Sequence, residues 1–248
     1  IWAFSSYFFI LIPAGHIWKF VTLAYIPPTI AGVVLAYRKK YLLGGIITAL
    51  FIALQIQSNH IQMSYYFMFV ILFFVGAYFE DAYKKKELPH FFKASGVLAL
   101  AAVVGVCINI SNLYHTYEYS KETMRGKSEL KQEGAAASQT SSGLDRDYIT
   151  NWSYGIGETL TLLVPNVKGG GSGSTMSQSE AAMSKANPMY NGIYSQLPQY
   201  FGEQPWTAGP VYVGAFVMFL FVLGCFIVKG PLKWALLGAT IFSILLSW

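Results

Sequence analysis

Apolar residues run almost unbroken through seven stretches of the chain, about 1–14, 18–37, 41–57, 63–82, 91–113, 210–228 and 232–248. Short clusters of Lys, Asn, Gln, Pro and Gly separate most of them, and the long segment 114–209 separates the fifth from the sixth. Runs near twenty residues have the length a helix needs to cross the hydrocarbon of a bilayer. Only helices and closed barrels satisfy every backbone group in lipid, and these runs lack the period-two alternation of barrel strands. The pattern therefore predicts an all-α polytopic transmembrane bundle of about seven spans, the first and last cut short. Residue 1 is Ile and the run from Leu232 to Trp248 ends without a polar flank, so the chain reads as an internal fragment.

Composition supports this solvent. Hydrophobic residues make up 54% of the chain and charged residues 12%, about half the charged share of a soluble domain. The few charges are placed unevenly. "YRKKY" (Arg38, Lys39, Lys40), "EDAYKKKELPHFFK" (Lys84, Lys85, Lys86, Lys93) and "VKGPLKW" (Lys229, Lys233) fall in alternate loops. Basic short loops stay in the cytosol, which predicts a membrane protein with the segment 114–209 on the outer side. The net charge of +5 is then a topology signal and not a nucleic-acid footprint. Cys107 and Cys225 both fall in apolar runs, where a cysteine acts as a small buried hydrophobe.

Polar residues inside this apolar pattern mark the candidate chemistry. "LQIQSNHIQMSYY" carries Gln55, Gln57, Asn59, His60 and Gln62 between two spans, followed by Tyr65 and Tyr66. Turns between spans need some polar residues. Five amide and imidazole groups exceed that need, so they predict a rim lining a watery pocket. On an unbroken helix Gln55, Asn59, Gln62 and Tyr66 would share one face. A second turn, "PAGHIWKFVTLAYIPP", brings His16 and Lys19, and its Pro27-Pro28 pair predicts a kinked helix. Lys19 runs against the positive-inside bias, so it either meets a phosphate or carboxylate or snorkels to a headgroup.

The long loop divides by composition. "QEGAAASQTSSG" and "KGGGSGSTMSQSE" read as flexible, while "LDRDYITNWSYGIGETLTLLVPN" reads as an ordered island. In that island Asp145 and Asp147 are candidate general bases, with Arg146 and Glu158 beside them. A divalent cation is an open possibility there. Arg125, with Lys121 and Lys127, is placed to meet a lipid phosphate or simply to anchor at the interface. No metal-ligand spacing accompanies His16 and His60, and no phosphate-cradling glycine loop opens a helix. Asn109-Ile110-Ser111 and Asn151-Trp152-Ser153 match the glycosylation pattern, which is a weak signal.

The succession "AGHIWK…AYIPP", "LQIQSNHIQMSYYF", "GLDRDYITNWSYGIGETLTLLVPN" and "GPVYVGAFVMFLFVLGCFIVKGPLKWALL" resembles the YfhO family of bacterial multi-pass membrane proteins, in the form seen among Bacteroidetes. That family is similar to the GT-C class of membrane glycosyltransferases. The resemblance implies transfer of a sugar from a polyprenyl-phosphate donor to a surface glycan or lipid on the outer face. It also implies a principal catalytic carboxylate upstream of residue 1. His16, Lys19, Asn59, His60, Gln62, Tyr65 and Tyr66 would then form a cavity wall, with 145–158 as its lid. The other reading is a non-enzymatic transporter or flippase component that uses the same rim as a vestibule.

Overall fold

The computed structural model describes residues 2–123, 146–207, 209 and 211–248. Among them the chain is helical, with no strand beyond one isolated antiparallel bridge between Thr175 and Pro198. It divides into two compact units. One comprises 18–150 and 229–240, the other 1–17, 151–228 and 241–248. Arg125 and Asp145, and the Gly/Ser/Ala stretch between them, lie outside the described residues.

In chain order the helices are α1 (Ser6–Leu11), α2 (Ile17–Ala24), α3 (Ile26–Tyr37), α4 (Tyr41–Gln57), α5 (Ile61–Lys85), α6 (Leu88–Ile108), α7 (Ile110–Lys121), α8 (Arg146–Thr150), α9 (Glu180–Met183), α10 (Asn191–Tyr194), α11 (Ala215–Ile227) and α12 (Pro231–Ser247). Three helical stretches are long and apolar enough to cross a membrane: Ile17–Tyr37, Ile61–Lys85 and Leu88–Ile108. Tyr41–Gln57, Ala215–Ile227 and Pro231–Ser247 are shorter apolar helices. The first predicted run holds only the six-residue α1.

Each interruption has a local cause. Pro27 and Pro28 have no amide hydrogen for the carbonyls one turn back, and the helix divides at Tyr25. Asn59 takes a left-handed φ of 54° and separates α4 from α5. That break removes the common helical face expected for Gln55, Asn59, Gln62 and Tyr66. Lys86 closes α5 at φ 57°, and Asn109 divides α6 from α7 at φ −105°.

Small residues bring α3 and α4 together. A Cβ at Gly32 would lie 2.5 Å from Thr48 Oγ1, and one at Gly44 would lie 2.5 Å from the Ala36 amide nitrogen. Helices in lipid associate through such close backbone approach, because apolar burial drives little there. A hydrophobic cluster of Val33, Ala36, Tyr37, Ala82, Phe91, Ala94 and Leu98 joins α3, α5 and α6. Outside it, Leu42, Leu72, Leu100, Val103 and Ile108 remain exposed. An exposed aliphatic surface on apolar helices is what a lipid-facing bundle presents. Cys107, expected to be buried, is exposed on that surface, while Cys225 is half-buried, and no disulfide joins the two.

The second unit is mostly turns and short helices held by crossing hydrogen bonds. Ser172 N–H donates to Thr207 O at 2.8 Å, Met176 N–H to Leu197 O at 2.9 Å, and Phe201 N–H to Lys168 O at 2.8 Å. The glycine-rich stretch 168–180, expected to be flexible, is tied along one side by these bonds. Gly169 is required there: its φ is 84° and a Cβ would run into the Gln199 carbonyl.

Candidate functional site

The bundle unit encloses a slot of about 470 Å³, within the size range of small-molecule sites. Its lining follows helical periodicity on four walls. Thr29, Val33 and Tyr37 come from α3, and Thr48, Ile52 and Gln55 from α4. From α5 come Ser64, Phe67, Met68, Ile71 and Val75, and from α6 come Ser95, Leu98, Ala102 and Val106. Eleven residues of rise, from Ser64 to Val75 or from Ser95 to Val106, give the slot a length of about 16 Å. It is long, narrow and largely hydrocarbon.

A few polar groups interrupt that surface. Gln55, 2% exposed, donates from Nε2 to Thr29 Oγ1 at 2.6 Å and to Tyr25 O at 3.4 Å. Thr29 in turn donates to Tyr25 O at 2.8 Å, so Gln55 secures the helix break that the prolines create. Near the other end the Tyr37 hydroxyl meets Ser95 Oγ at 2.9 Å. Two hydroxyls stand apart from these pairs. Thr48 Oγ1 and Ser64 Oγ are buried and have no hydrogen-bond partner among the described residues. An orphaned buried hydroxyl costs about 1–3 kcal/mol, and that of Thr48 is pressed against Gly32 where α3 meets α4.

The residues expected to form the rim gather partly at the Gln55 and Ser64 end. Gln62 donates from Nε2 to the Tyr66 hydroxyl at 3.4 Å, and Thr116 of α7 donates to Asn59 Oδ1 at 3.4 Å. Tyr65 and Tyr66 are exposed, their rings 5.9 Å apart. His60 occupies the cap position of α5. Lys19 is half-buried on α2, in the same unit. His16, exposed after α1, belongs to the other unit. Arg146 opens α8, and Asp147 is exposed in its first turn.

Glu158 is placed differently from the expected lid carboxylate. It is 4% exposed and holds its own unit together. Oε2 accepts from Gly155 N–H at 2.9 Å and Glu203 N–H at 3.4 Å, and Oε1 accepts from the Tyr200 hydroxyl at 2.5 Å. The Tyr200 phenol is pushed up to about 12, by burial first and then by this bond to Glu158. The space beside them is about 10 Å³, room for one water at most. Glu158 clamps the 200–203 turn onto the 156–162 helix.

Sequence reasoning missed Thr29, Thr48 and Ser64. Their signal was present as isolated hydroxyl residues inside apolar runs, but such residues also satisfy themselves on the carbonyl one turn back, as Thr22 does on Trp18 O at 2.8 Å. Asn109 was read only as part of a glycosylation pattern. It is 8% exposed and donates to Ala53 O at 2.9 Å and Gly105 O at 3.2 Å, which leaves its amide no access to a glycan. No group of three or more His, Cys, Asp or Glu among the described residues is placed to hold a metal ion. No family model, curated protein or solved structure matches this chain.

Proposed function

We propose that this protein is a membrane glycosyltransferase of GT-C type that takes a sugar from a polyprenyl-phosphate donor and passes it to a surface glycan or lipid. The observation that carries this reading is the slot: an elongated, largely apolar channel between four helices suits an isoprenoid chain. The first turn of α5, Ile61–Ser64, lies at the Gln55 end. A helix start attracts phosphate through its free amides and positive dipole end. Asn59, Gln62 and Tyr66 add neutral donors there, able to hold the phosphate as it leaves. In this proposal seven spans cross the inner membrane, 114–209 lies outside, and Asp145 or Asp147 supplies the base that activates the acceptor hydroxyl.

A specific feature favours the second reading, a transporter or flippase for a lipid-linked substrate. The stretch Ile17–Tyr37 is broken at Tyr25, and Gln55 meets the break. Discontinuous helices with polar partners are the usual material of transporter sites.

One experiment separates the two. The full-length protein in liposomes receives a radiolabelled polyprenyl-phosphate sugar, and both free carrier phosphate and the sidedness of the label are followed. Release of carrier that is lost in Ala102→Phe, a slot-filling substitution, with protein level unchanged, supports the transferase. Movement of intact donor across the bilayer without release supports the transporter. If the filled slot behaves as wild type in both assays, the slot does not bind the chain and both readings fail.

A further inference from the structure

We infer that the basic end of the bundle carries a separate binding site for a phosphate group, centred on Arg38. A pocket of about 390 Å³ lies where α3 ends, α5 ends and α6 begins. Arg38, Lys39 and Lys85 supply its cations, and Asp81 and Glu87 its carboxylates. The acids are already engaged: Lys39 reaches Glu87 at 3.3 Å and Lys85 reaches Asp81 at 2.7 Å. Arg38 fronts the same space and has no ion pair among the described residues. The pocket therefore has one positive charge in excess, on the side chain whose planar fork best matches phosphate oxygens.

Three further features shape this pocket for a ligand. Its inner wall is a rigid aromatic stack, with the Tyr37 ring 4.2 Å from Tyr78 and 5.7 Å from Phe91. His90 cannot turn inward, because its Nε2–H donates to Tyr37 O at 2.8 Å and Nδ1 meets the Tyr41 hydroxyl at 2.6 Å. Lys39 stands at φ 67°, a left-handed helix-end position where glycine or asparagine is normally found. The chain keeps a cation there despite the strain. Both lysine ion pairs are exposed, and exposed pairs are weak enough to exchange for an incoming phosphate.

The positive-inside bias accounts for basic residues at this end, but it does not account for a cavity among them. Two sources present the required chemistry: the headgroup of an anionic lipid in the adjacent leaflet, and free phosphate. A polar mouth over an aromatic wall at a bundle end suits the headgroup.

The test is native mass spectrometry of the full chain in detergent, with phosphatidylglycerol or phosphatidylcholine added and inorganic phosphate as competitor. Wild type is expected to retain phosphatidylglycerol over phosphatidylcholine by about fivefold, the factor that one basic residue contributes near a lipid surface. Arg38→Gln removes the preference and Arg38→Lys restores part of it. Lys84→Gln, the same charge change on a lysine outside the pocket, leaves it intact. Asp81→Asn, which removes a carboxylate and releases Lys85, increases it. Displacement by millimolar inorganic phosphate assigns the site to the free ion, and resistance assigns it to the lipid. Equal losses in Arg38→Gln and Lys84→Gln would reduce the effect to general surface charge and overturn the inference. If Arg38→Gln does not fold, Asp81→Asn decides alone, and no gain in that variant overturns it.

Discussion

The Gln55 amide donates to Thr29 Oγ1 at 2.6 Å across the α3–α4 contact, and both side chains are almost fully buried. The pair ties α4 to the turn in which Pro27 and Pro28 interrupt the helix. Gln55→Leu keeps the volume and deletes both hydrogen bonds, so it is expected to destabilise the protein by about 0.5–2 kcal/mol. Gln55→Glu is expected to cost more, because it places an ionisable group in hydrocarbon. Thermal unfolding in a fixed detergent compares the two. Equal melting temperatures for wild type and both variants would mean that the pair is solvated and holds nothing.

Glycines of the bundle separate into two kinds, with opposite expected signs. Gly44→Ala drives a methyl into the Ala36 backbone, where a Cβ would lie 2.5 Å from the amide nitrogen, and overpacking of this kind costs about 1–3 kcal/mol. Gly96→Ala meets nothing within 4 Å and gains helix propensity of up to about 1 kcal/mol. Melting temperature should fall in the first and rise or hold in the second. A fall of similar size in both would show that the α3–α4 approach is not the tight one.

The helices were legible from hydropathy because an apolar run of helix length has few other structures available to it. The breaks around Asn59 and Lys86 were legible as polar clusters between apolar runs and the one at Tyr25 from Pro27-Pro28, whereas the division at Asn109, inside an apolar run, was not. Asn59 and Lys86 stop helices by adopting left-handed backbone, a choice that asparagine and lysine do not require and that tertiary packing decides. The rim was half visible: Gln62 and Tyr66 do meet, at one helical turn. Gln55, which would share their face only on an unbroken helix, instead reaches Thr29 across the α3–α4 contact. Glu158 could not be located by type at all. A carboxylate in an aromatic loop reads as chemistry, and two of the three donors that claim its oxygens, Tyr200 and Glu203, lie 42 and 45 positions away.

Thr48→Val tests whether the Thr48 hydroxyl is an uncompensated cost at the α3–α4 contact. Thr48 Oγ1 is buried without a partner among the described residues, so replacing the hydroxyl with a methyl removes a desolvation cost and should stabilise the ligand-free protein by about 1 kcal/mol. The same change should leave retention of a polyprenyl-phosphate carrier unaltered, since this hydroxyl is pressed against Gly32 of α3 and not open to the slot. Melting temperature without carrier and binding of a fluorescent carrier are the paired measurements. A variant that is both less stable and unimpaired in binding would show that Thr48 is satisfied within the protein.

Tyr200 sets a limit on alkaline stability. Its phenol is held at about 12 in the folded protein, against an unfolded value near 10. Above pH 10 the unfolded chain gives up this proton while the folded one retains it, so stability falls as pH rises from 10 to 12 and the contribution is intact below that window. Tyr200→Phe removes both the titration and a donor to buried Glu158. The variant should be less stable at pH 8, by about 1–3 kcal/mol for a carboxylate that loses a partner, yet show a shallower decline between pH 10 and 12 than wild type. Urea unfolding followed by tryptophan fluorescence, in a background with Trp18→Phe and Trp234→Phe, reports this unit, within which Trp152 and Trp206 pack edge to face at 4.8 Å. Parallel pH profiles for the two proteins would mean that the Glu158–Tyr200 bond is not what positions the 200–203 turn.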